Sequence, residues 1–469
     1  MKRIFFLLFL VNSLTAQPLH LDMNVFEARR KAFMGKMDSN SIAIFPCKPE
    51  YLRNLDVEFP YRQESNLYYL SGFEEQESFL IFRPSHPKFK FVMGVRKRDP
   101  AAETWNGLRA GTDGAITLFR ADTAYVSDEF EAAVYSSIRQ GGKVYYSFGI
   151  NPEMDKKVQA IFVAGRSGSN WEIVDPAPLV NEMRLIKDDG DWAMGMQKAI
   201  DISCDAHIAA FKSIKPDHYE REIQAVFEYV YRKEGSPRDG YPCIIGSGPN
   251  STILHYDENS RRMKDGEVLL MDCAAEYGYY SADITRTVPV NGKFSKDQRL
   301  IYQIVLDAQN AAMHIVQPGI AKKELDVVID SVLGQGLLKL GFLKDRKDFR
   351  MYSIHGYSHW IGLEVHDVGG YSRNGQSIKL EAGMVLTIEP GIYVRPDVYD
   401  KMKKRGYTDD EIAGIRKTVE PYMNIGVRIE DDVLVTKDGF KNLSERVPRE
   451  IDSIERMMKE RGGETPGYH

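Results

Sequence analysis

Cysteine is scarce: Cys47, Cys204, Cys243 and Cys273 are the only four in a chain of 469 residues. None sits in a CxxC pair or at zinc-module spacing, which excludes a structural zinc ribbon and a disulfide-built scaffold. Buried free thiols are common in large domains, so no structural disulfide is expected. An excess of one charge is missing too. Lys and Arg number 62 against 67 Asp and Glu, a net charge of −5 that gives no basic field for nucleic acid. Past the N-terminus no apolar run is long enough to span a bilayer. Tandem repeats and low-complexity tracts are absent. There is no HExxH helix, because Gly356 follows His355 where a zinc protease needs Glu. Gly246-Ser-Gly-Pro-Asn250 lacks the Gly-Lys-Ser/Thr of a P-loop and reads as a loop leading to His255. What is left is an ordinary globular composition, 43% hydrophobic and 28% charged, in a chain long enough for two domains.

Residues 1–16 have the form of an export signal: Lys2 and Arg3, the apolar Ile4–Val11, then small residues ending at Ala16. That run is too short to span a bilayer, so a periplasmic or secreted product without membrane insertion is expected. Residues 17–176 alternate short strands and helices, an N-terminal α/β domain. Ser41–Phe45, Ser78–Phe82 and Phe89–Val95 read as strands and Phe130–Gln140 as a helix. Prolines at 176 and 178 mark the boundary.

Residues 177–469 turn strongly helical. Ala193, Met196, Ile200, His207 and Phe211 follow helical spacing, and His207 is expected to be packed on an apolar face rather than to bind a ligand. Asp217 is expected to cap the next helix and Gly235 to end it. Ser295 with Gln298 is a capping box, and a further helix spans about Leu325–Leu340. Strand-like segments follow at Val365–Gly370, Met384–Ile388 and Gly426–Val435. Helices laid on an antiparallel sheet make the class α+β.

The chain is organised around Glu267–Val290. Two β-rich runs flank Glu276-Tyr-Gly-Tyr279, and a turn centred between Tyr277 and Gly278 sets Asp272 opposite Asp283. Facing residues have Cβ atoms roughly 5 Å apart, and like charges there destabilise a hairpin unless positive charge lies between them. A metal site and a slipped register with solvated aspartates are both open at this point.

Three clusters lie downstream. His355-Gly-Tyr-Ser-His359 and His366 place three of the ten histidines within twelve residues. In Thr387-Ile-Glu389-Pro-Gly391 the proline keeps Glu389 extended. Arg428 and Glu430 share one strand face by the period of two. Alone, each has an ordinary reading: an edge residue, a surface ion pair, packed imidazoles. Together they put up to four carboxylates into apolar strands with one arginine to balance them. Two divalent cations would balance four carboxylates. Oxygen-rich ligation with one nitrogen suits Mn²⁺, or Fe or Co, better than structural zinc.

These residues resemble a family, the metal-dependent pita-bread peptidases, and within it the Xaa-Pro aminopeptidases (aminopeptidase P). The likeness runs through His255, Asp272, Asp283-Ile-Thr-Arg-Thr, His355-Gly-Tyr-Ser-His359-Trp, His366-Asp-Val-Gly, Glu389-Pro-Gly and Arg428-Ile-Glu430. Tyr61–Phe73 and Glu103-Thr-Trp105 resemble the family's N-terminal domain. The resemblance implies a pita-bread catalytic domain behind a smaller α/β domain. It implies Asp272, Asp283, His359, Glu389 and Glu430 as ligands of two divalent ions, Mn²⁺ first among the candidates. It implies hydrolysis of the bond between an N-terminal residue and a following proline, with Glu389 as proton shuttle and His366 and His255 lining the site. His366 would also donate to the oxyanion.

His355, His255, His366, Tyr393 and Trp105 are placed around substrate, Trp105 from a neighbouring subunit of a dimer or tetramer. His355 also fits plain packing. Arg428 and Thr285 would orient ligands. The charged run Arg395–Asn424 departs from the pattern and is expected to be a surface insertion. Prolidase, cleaving only Xaa-Pro dipeptides, shares every ligand and stands as the alternative. The presence of all five ligand types argues against a non-enzymatic module or a metal-free, creatinase-like hydrolase.

Overall fold

The computed structural model describes residues 22–138, 142–164 and 171–460, so the expected export segment lies outside the described residues. Apolar β-formers give β1 (Ser41–Pro46), β2 (Phe79–Phe82), β3 (Phe91–Val95), β4 (Thr123–Val126), β5 (Gly142–Tyr146) and β6 (Trp171–Val174). They build one mixed sheet in the order β4-β3-β2-β1-β5-β6. α1 (Met23–Lys36) closes one face, where Phe33 meets Phe45 and Phe82 edge-on at 5.3 Å. α2 (Ser65–Ser71) starts on the Glu64 carboxylate and stops at Gly72 in the left-handed region. After Pro176, α3 (Ala177–Leu185) leads into the second half.

There, α4 (Met196–Ser213) packs on α5 (Glu220–Lys233), ahead of an antiparallel sheet of β7 (Ile244–Ser247), β8 (Val268–Asp272) and β9 (Thr285–Pro289). α6 (Lys296–His314), opened by the Ser295 and Gln298 capping box, packs on α7 (Lys322–Lys339). The chain then gives β10 (Val385–Ile388), β11 (Gly391–Tyr393), β12 (Gly426–Arg428), β13 (Asp431–Thr436) and β14 (Gly439–Asn442). β10, β13 and β14 form one ladder and β11 and β12 another. A bridge between Thr285 and Glu430 joins these to the β7–β9 sheet. Fully buried Arg286 fastens the same seam, donating to Glu430 O at 2.6 Å and to Asp431 Oδ1 at 2.7 Å.

Four expectations are corrected. The hairpin turns one residue later than read from sequence, because Gly278 (φ 58°) and Tyr279 (φ 71°) both take left-handed conformations. Tyr277 pairs with Tyr280, so Asp272 faces Thr285 rather than Asp283. A slip of two keeps every side chain on its face, so the aspartates still share one side. Asp217 caps nothing; it is left-handed at φ 70°, and α5 starts with the Glu222 carboxylate accepting from Tyr219 N at 2.8 Å. Val365–Gly370 is irregular, because the Asp367 carboxylate turns inward to Arg184 and Lys187. Arg395–Asn424 is no mere surface insertion: α8 (Val398–Lys404) and α9 (Asp409–Val419) bury Val398, Met402, Ile412 and Val419 in the main core. All four cysteines are buried and unbridged.

Candidate metal centre

Strand ends supply the site. β8 stops at Asp272, and Asp283 lies two residues before β9. Glu389 follows β10, where Pro390 interrupts the ladder, and Glu430 occupies the break between β12 and β13. His359 comes from an irregular segment laid against β10: its N–H donates to Thr387 Oγ1 at 3.1 Å, and Thr387 N donates to His359 O at 2.9 Å. At a strand end the backbone is still held by the sheet while the side chain is free of cross-strand neighbours.

The donor atoms converge. His359 Nε2 lies 3.2 Å from Asp283 Oδ2, 3.3 Å from Glu389 Oε1 and 3.9 Å from Glu430 Oε1. Donor atoms of Asp283, His359 and Glu430 all fall within 4.8 Å of one another, a spacing that fits one cation. His359 Nδ1 is 3.1 Å from the Trp360 carbonyl, so it carries the proton and leaves Nε2 facing the carboxylates. Asp272 joins through Tyr241, whose hydroxyl is 2.6 Å from both Asp272 Oδ1 and Asp283 Oδ1. A phenol has one proton and cannot donate to both at once.

Electrostatics show a site built for added positive charge. Burial, with Asp283 and Glu389 close by, drives the Glu430 carboxyl well above its ordinary range. Burial, partly offset by His359, pushes Glu389 up to about 7, and burial with Asp272 raises Asp283. Burial alone would lower His359, but the Asp283 and Glu389 carboxylates outweigh it and lift the imidazole to about 9. Glu430 Oε1 is buried without a hydrogen-bond partner, while Oε2 accepts from Thr285 Oγ1 at 2.6 Å. An orphaned carboxylate oxygen amid three other acids and one imidazole fits a divalent cation.

Among the described residues, Arg428 is the arginine paired with a carboxylate of this group. It pairs with Asp272 Oδ2, donates from Nε to Thr285 Oγ1 at 3.2 Å and from Nη1 to Tyr393 Oη at 3.0 Å. The Tyr393 hydroxyl is in turn 2.7 Å from His355 Nε2, so Arg428, Tyr393 and His355 form a chain along one wall. His355 Nδ1 stands 3.6 Å from Glu389 Oε2, and burial with Arg428 lowers its basicity to about 3. His366 is exposed, with its ring 4.2 Å from that of His359; burial and His359 depress its pKa, and His255 adds to this. His255 is also exposed. Trp105, on the helix Pro100–Asn106, is 87% exposed, so this chain does not bury it in the site.

Sequence reading missed three residues of the site. Tyr241 and Thr387 carry no spacing signal. Asp432, which accepts from Asp283 N at 3.1 Å, was visible only as part of Glu430-Asp-Asp432. His207 was read as packed, and it is fully buried. Its Nε2 lies 3.1 Å from Cys273 O and 3.0 Å from Ile284 O, the carbonyls just after Asp272 and Asp283. A hydrogen bond spanning two strands cannot be read from helical periodicity.

Comparison with known proteins agrees with this architecture. The Metallopeptidase family M24 profile matches residues 194–437, and the Aminopeptidase P, N-terminal domain profile matches residues 26–146. A Xaa-Pro aminopeptidase of Haemophilus influenzae is 36% identical over 441 residues, covering 92% of this chain and 96% of that protein. Human Xaa-Pro aminopeptidase 3 is 31% identical over 446 residues, covering 92% and 83%. Among solved structures, Pseudomonas aeruginosa aminopeptidase PepP superposes with a TM-score of 0.86 at 36% identity, covering 94% of this chain and 99% of that one. Escherichia coli aminopeptidase P with the inhibitor Pro-Leu gives 0.85 at 35% identity, covering 93% and 98%. With its aminopeptidase P N-terminal domain and its pita-bread half, the chain belongs to metallopeptidase family M24, in the Xaa-Pro aminopeptidase branch.

Proposed function

We propose that this protein is a metal-dependent Xaa-Pro aminopeptidase that releases the N-terminal residue from peptides with proline at the second position. One observation carries the reading: four carboxylates and one imidazole meet at strand ends around an unpartnered Glu430 oxygen, inside the fold of that branch. Asp272, Asp283, His359, Glu389 and Glu430 are the proposed ligands of two divalent ions, for which Mn²⁺ is the expected metal. Bound there, such ions acidify water and polarise a carbonyl. The remaining work falls to the chain. Glu389, steadied by Thr387 Oγ1 at 3.2 Å, takes a proton from the attacking water and returns it to the prolyl nitrogen, which must be protonated to leave. His366 donates to the oxygen of the tetrahedral species. Arg428 and Thr285 keep Asp272 and Glu430 aimed. His355, Tyr393 and His255 form walls for the substrate. Exposure of Trp105 supports its use by a second subunit, in a dimer or tetramer. Export after cleavage near Ala16 belongs to the same proposal; N-terminal sequencing of protein from its native host tests it.

The test of function is kcat/KM for Arg-Pro-Pro, Arg-Ala-Pro, acetyl-Arg-Pro-Pro and the dipeptide Arg-Pro, with added Mn²⁺ and with chelator. Ring packing alone is worth on the order of 1–3 kcal/mol. Arg-Pro-Pro should therefore exceed Arg-Ala-Pro by more than about tenfold, with no cleavage of the acetylated peptide or under chelator. Cleavage confined to Arg-Pro would show a prolidase. Equal rates on the first three peptides would sink the proposed specificity.

A further inference from the structure

His366 sits on a loop with no regular structure, and no hydrogen bond among the described residues fixes its imidazole. Its position is therefore set by the backbone of Trp360–Asp367. That backbone is anchored from outside the metal-binding half. Arg62, just before α2, donates from Nη2 to the Leu363 carbonyl at 2.6 Å and from Nε to Glu276 Oε2 at 2.6 Å. The same guanidinium reaches Tyr279 O at 3.3 Å and lies over the Tyr279 ring at 4.7 Å. Ser65, which accepts from Arg62 Nη1 at 3.0 Å, donates to Glu364 Oε1 at 3.1 Å. On the far side of His366, the Asp367 carboxylate is buried against Arg184 and against Lys187 Nζ at 2.8 Å. The loop and the hairpin tip also touch directly, Ser281 N donating to Gly362 O at 2.8 Å.

We infer that Arg62 is a positioning residue: from the N-terminal domain, it ties the loop carrying His366 to the tip of the hairpin carrying Asp272 and Asp283. The guanidinium suits this work, since its fixed fork donates in several directions at once, whereas an ammonium cannot span the same acceptors. The bond to Leu363 O is charge-assisted and less than a quarter exposed on the arginine side, so losing it frees the carbonyl at the loop's midpoint that the N-terminal domain holds. Glu276 would keep Arg238 Nη1 at 2.8 Å, so the hairpin tip is not left with an unpaired buried acid.

The inference rests on the aminopeptidase reading for its kinetic arm only. Arg62→Met, Arg62→Lys, His366→Ala and the Arg62→Met, His366→Ala double variant are compared on Arg-Pro-Pro, with metal content measured for each. Small displacements of a reacting group cost large factors, so Arg62→Met should lower kcat on the order of tenfold at unchanged metal content. The same change in the His366→Ala background should cost less than about twofold, since its target is gone. Arg62→Lys should fall between, and it carries the comparison if Arg62→Met does not fold. Equal losses in both backgrounds would overturn the inference. Hydrogen–deuterium exchange of the 360–369 backbone gives the second arm, whatever the enzyme cleaves. Several-fold faster exchange there in either Arg62 variant is expected, and exchange unchanged from wild type would also overturn it. Absence of Arg-Pro-Pro hydrolysis in the wild type would refute the proposed function and leave the exchange arm to decide.

Discussion

Tyr241 stands between two carboxylates with one proton to give, and that imbalance explains what the neighbouring residues are for. Asp272 is shared with Arg428, and Asp283 with His359. Removing either aspartate removes a donor while relieving repulsion, so Asp272→Ala and Asp283→Ala should stay folded. Both should lose bound metal and activity, as read by metal analysis beside circular dichroism. Retention of two ions per chain in both variants would refute the ligand assignment. His207 works one layer deeper. Its neutral ring spans the carbonyls after both aspartates, and burial with Arg286 holds its pKa down to about 3. With a folded value below the ordinary 6.5, its contribution to stability is complete above pH 6.5. It is lost as pH falls from there toward 3, by up to about 1.4 kcal/mol per unit. His207→Gln should flatten that part of the denaturant midpoint against pH curve. An unchanged slope would assign the acid sensitivity to other groups. Of the residues named here, Asp272, Asp283, His359 and Arg428 were legible as sequence clusters, and the burial of His207 was legible from helical spacing. Tyr241 and the two carbonyls that His207 spans were not, because contacts across α4, β8 and the loop after α5 leave no local spacing.

At the scale of elements, patterning carried the strands and helices, and backbone conformation decided what patterning could not. Alternation gave the two arms of the hairpin, but a Tyr at φ 71° beside Gly278 was invisible, and it moved the turn by one residue. Tyr279 stacks on Tyr68 of the N-terminal half, centroids 3.7 Å apart, a contact that no local pattern announces. The Val365–Gly370 run looked like a strand by composition and failed as one because a buried ion pair claimed Asp367. Charge misled in Arg395–Asn424, where exposed Lys and Glu hide apolar positions at helical spacing. Met402 in α8 and Val419 in α9 are fully buried. Met402→Ala should therefore cost about 2–5 kcal/mol, the range for truncating a core side chain. Urea denaturation measures it. A change below about 0.5 kcal/mol, ordinary for a surface position, would restore the reading of a peripheral insertion.

For the whole molecule, the metal centre ties folding stability to both metal and pH. An ion bound only by the folded chain stabilises it by about 4 kcal/mol when present at a thousand times its dissociation constant. Chelation removes that and exposes the site's own electrostatics. Without metal, Glu389 is lifted to about 7 and His359 to about 9, both above their ordinary values. Each binds more protons in the folded state than in the unfolded one, so each contribution is complete below its ordinary value and is lost as pH rises through the lifted one. The chelated protein should therefore lose stability between pH 4.5 and 9, through Glu389 from 4.5 to about 7 and through His359 from 6.5 to about 9, each by up to about 1.4 kcal/mol per unit within its own window. Metal-loaded protein should run nearly flat over that span, because bound cations keep the carboxylates ionised throughout. Thermal melts with chelator and with saturating Mn²⁺ at four pH values supply the comparison. The two curves should diverge as pH rises. Parallel curves would mean that the five residues do not hold cations, and Glu389→Gln, which removes the Glu389 titration, should flatten the chelated curve below pH 7.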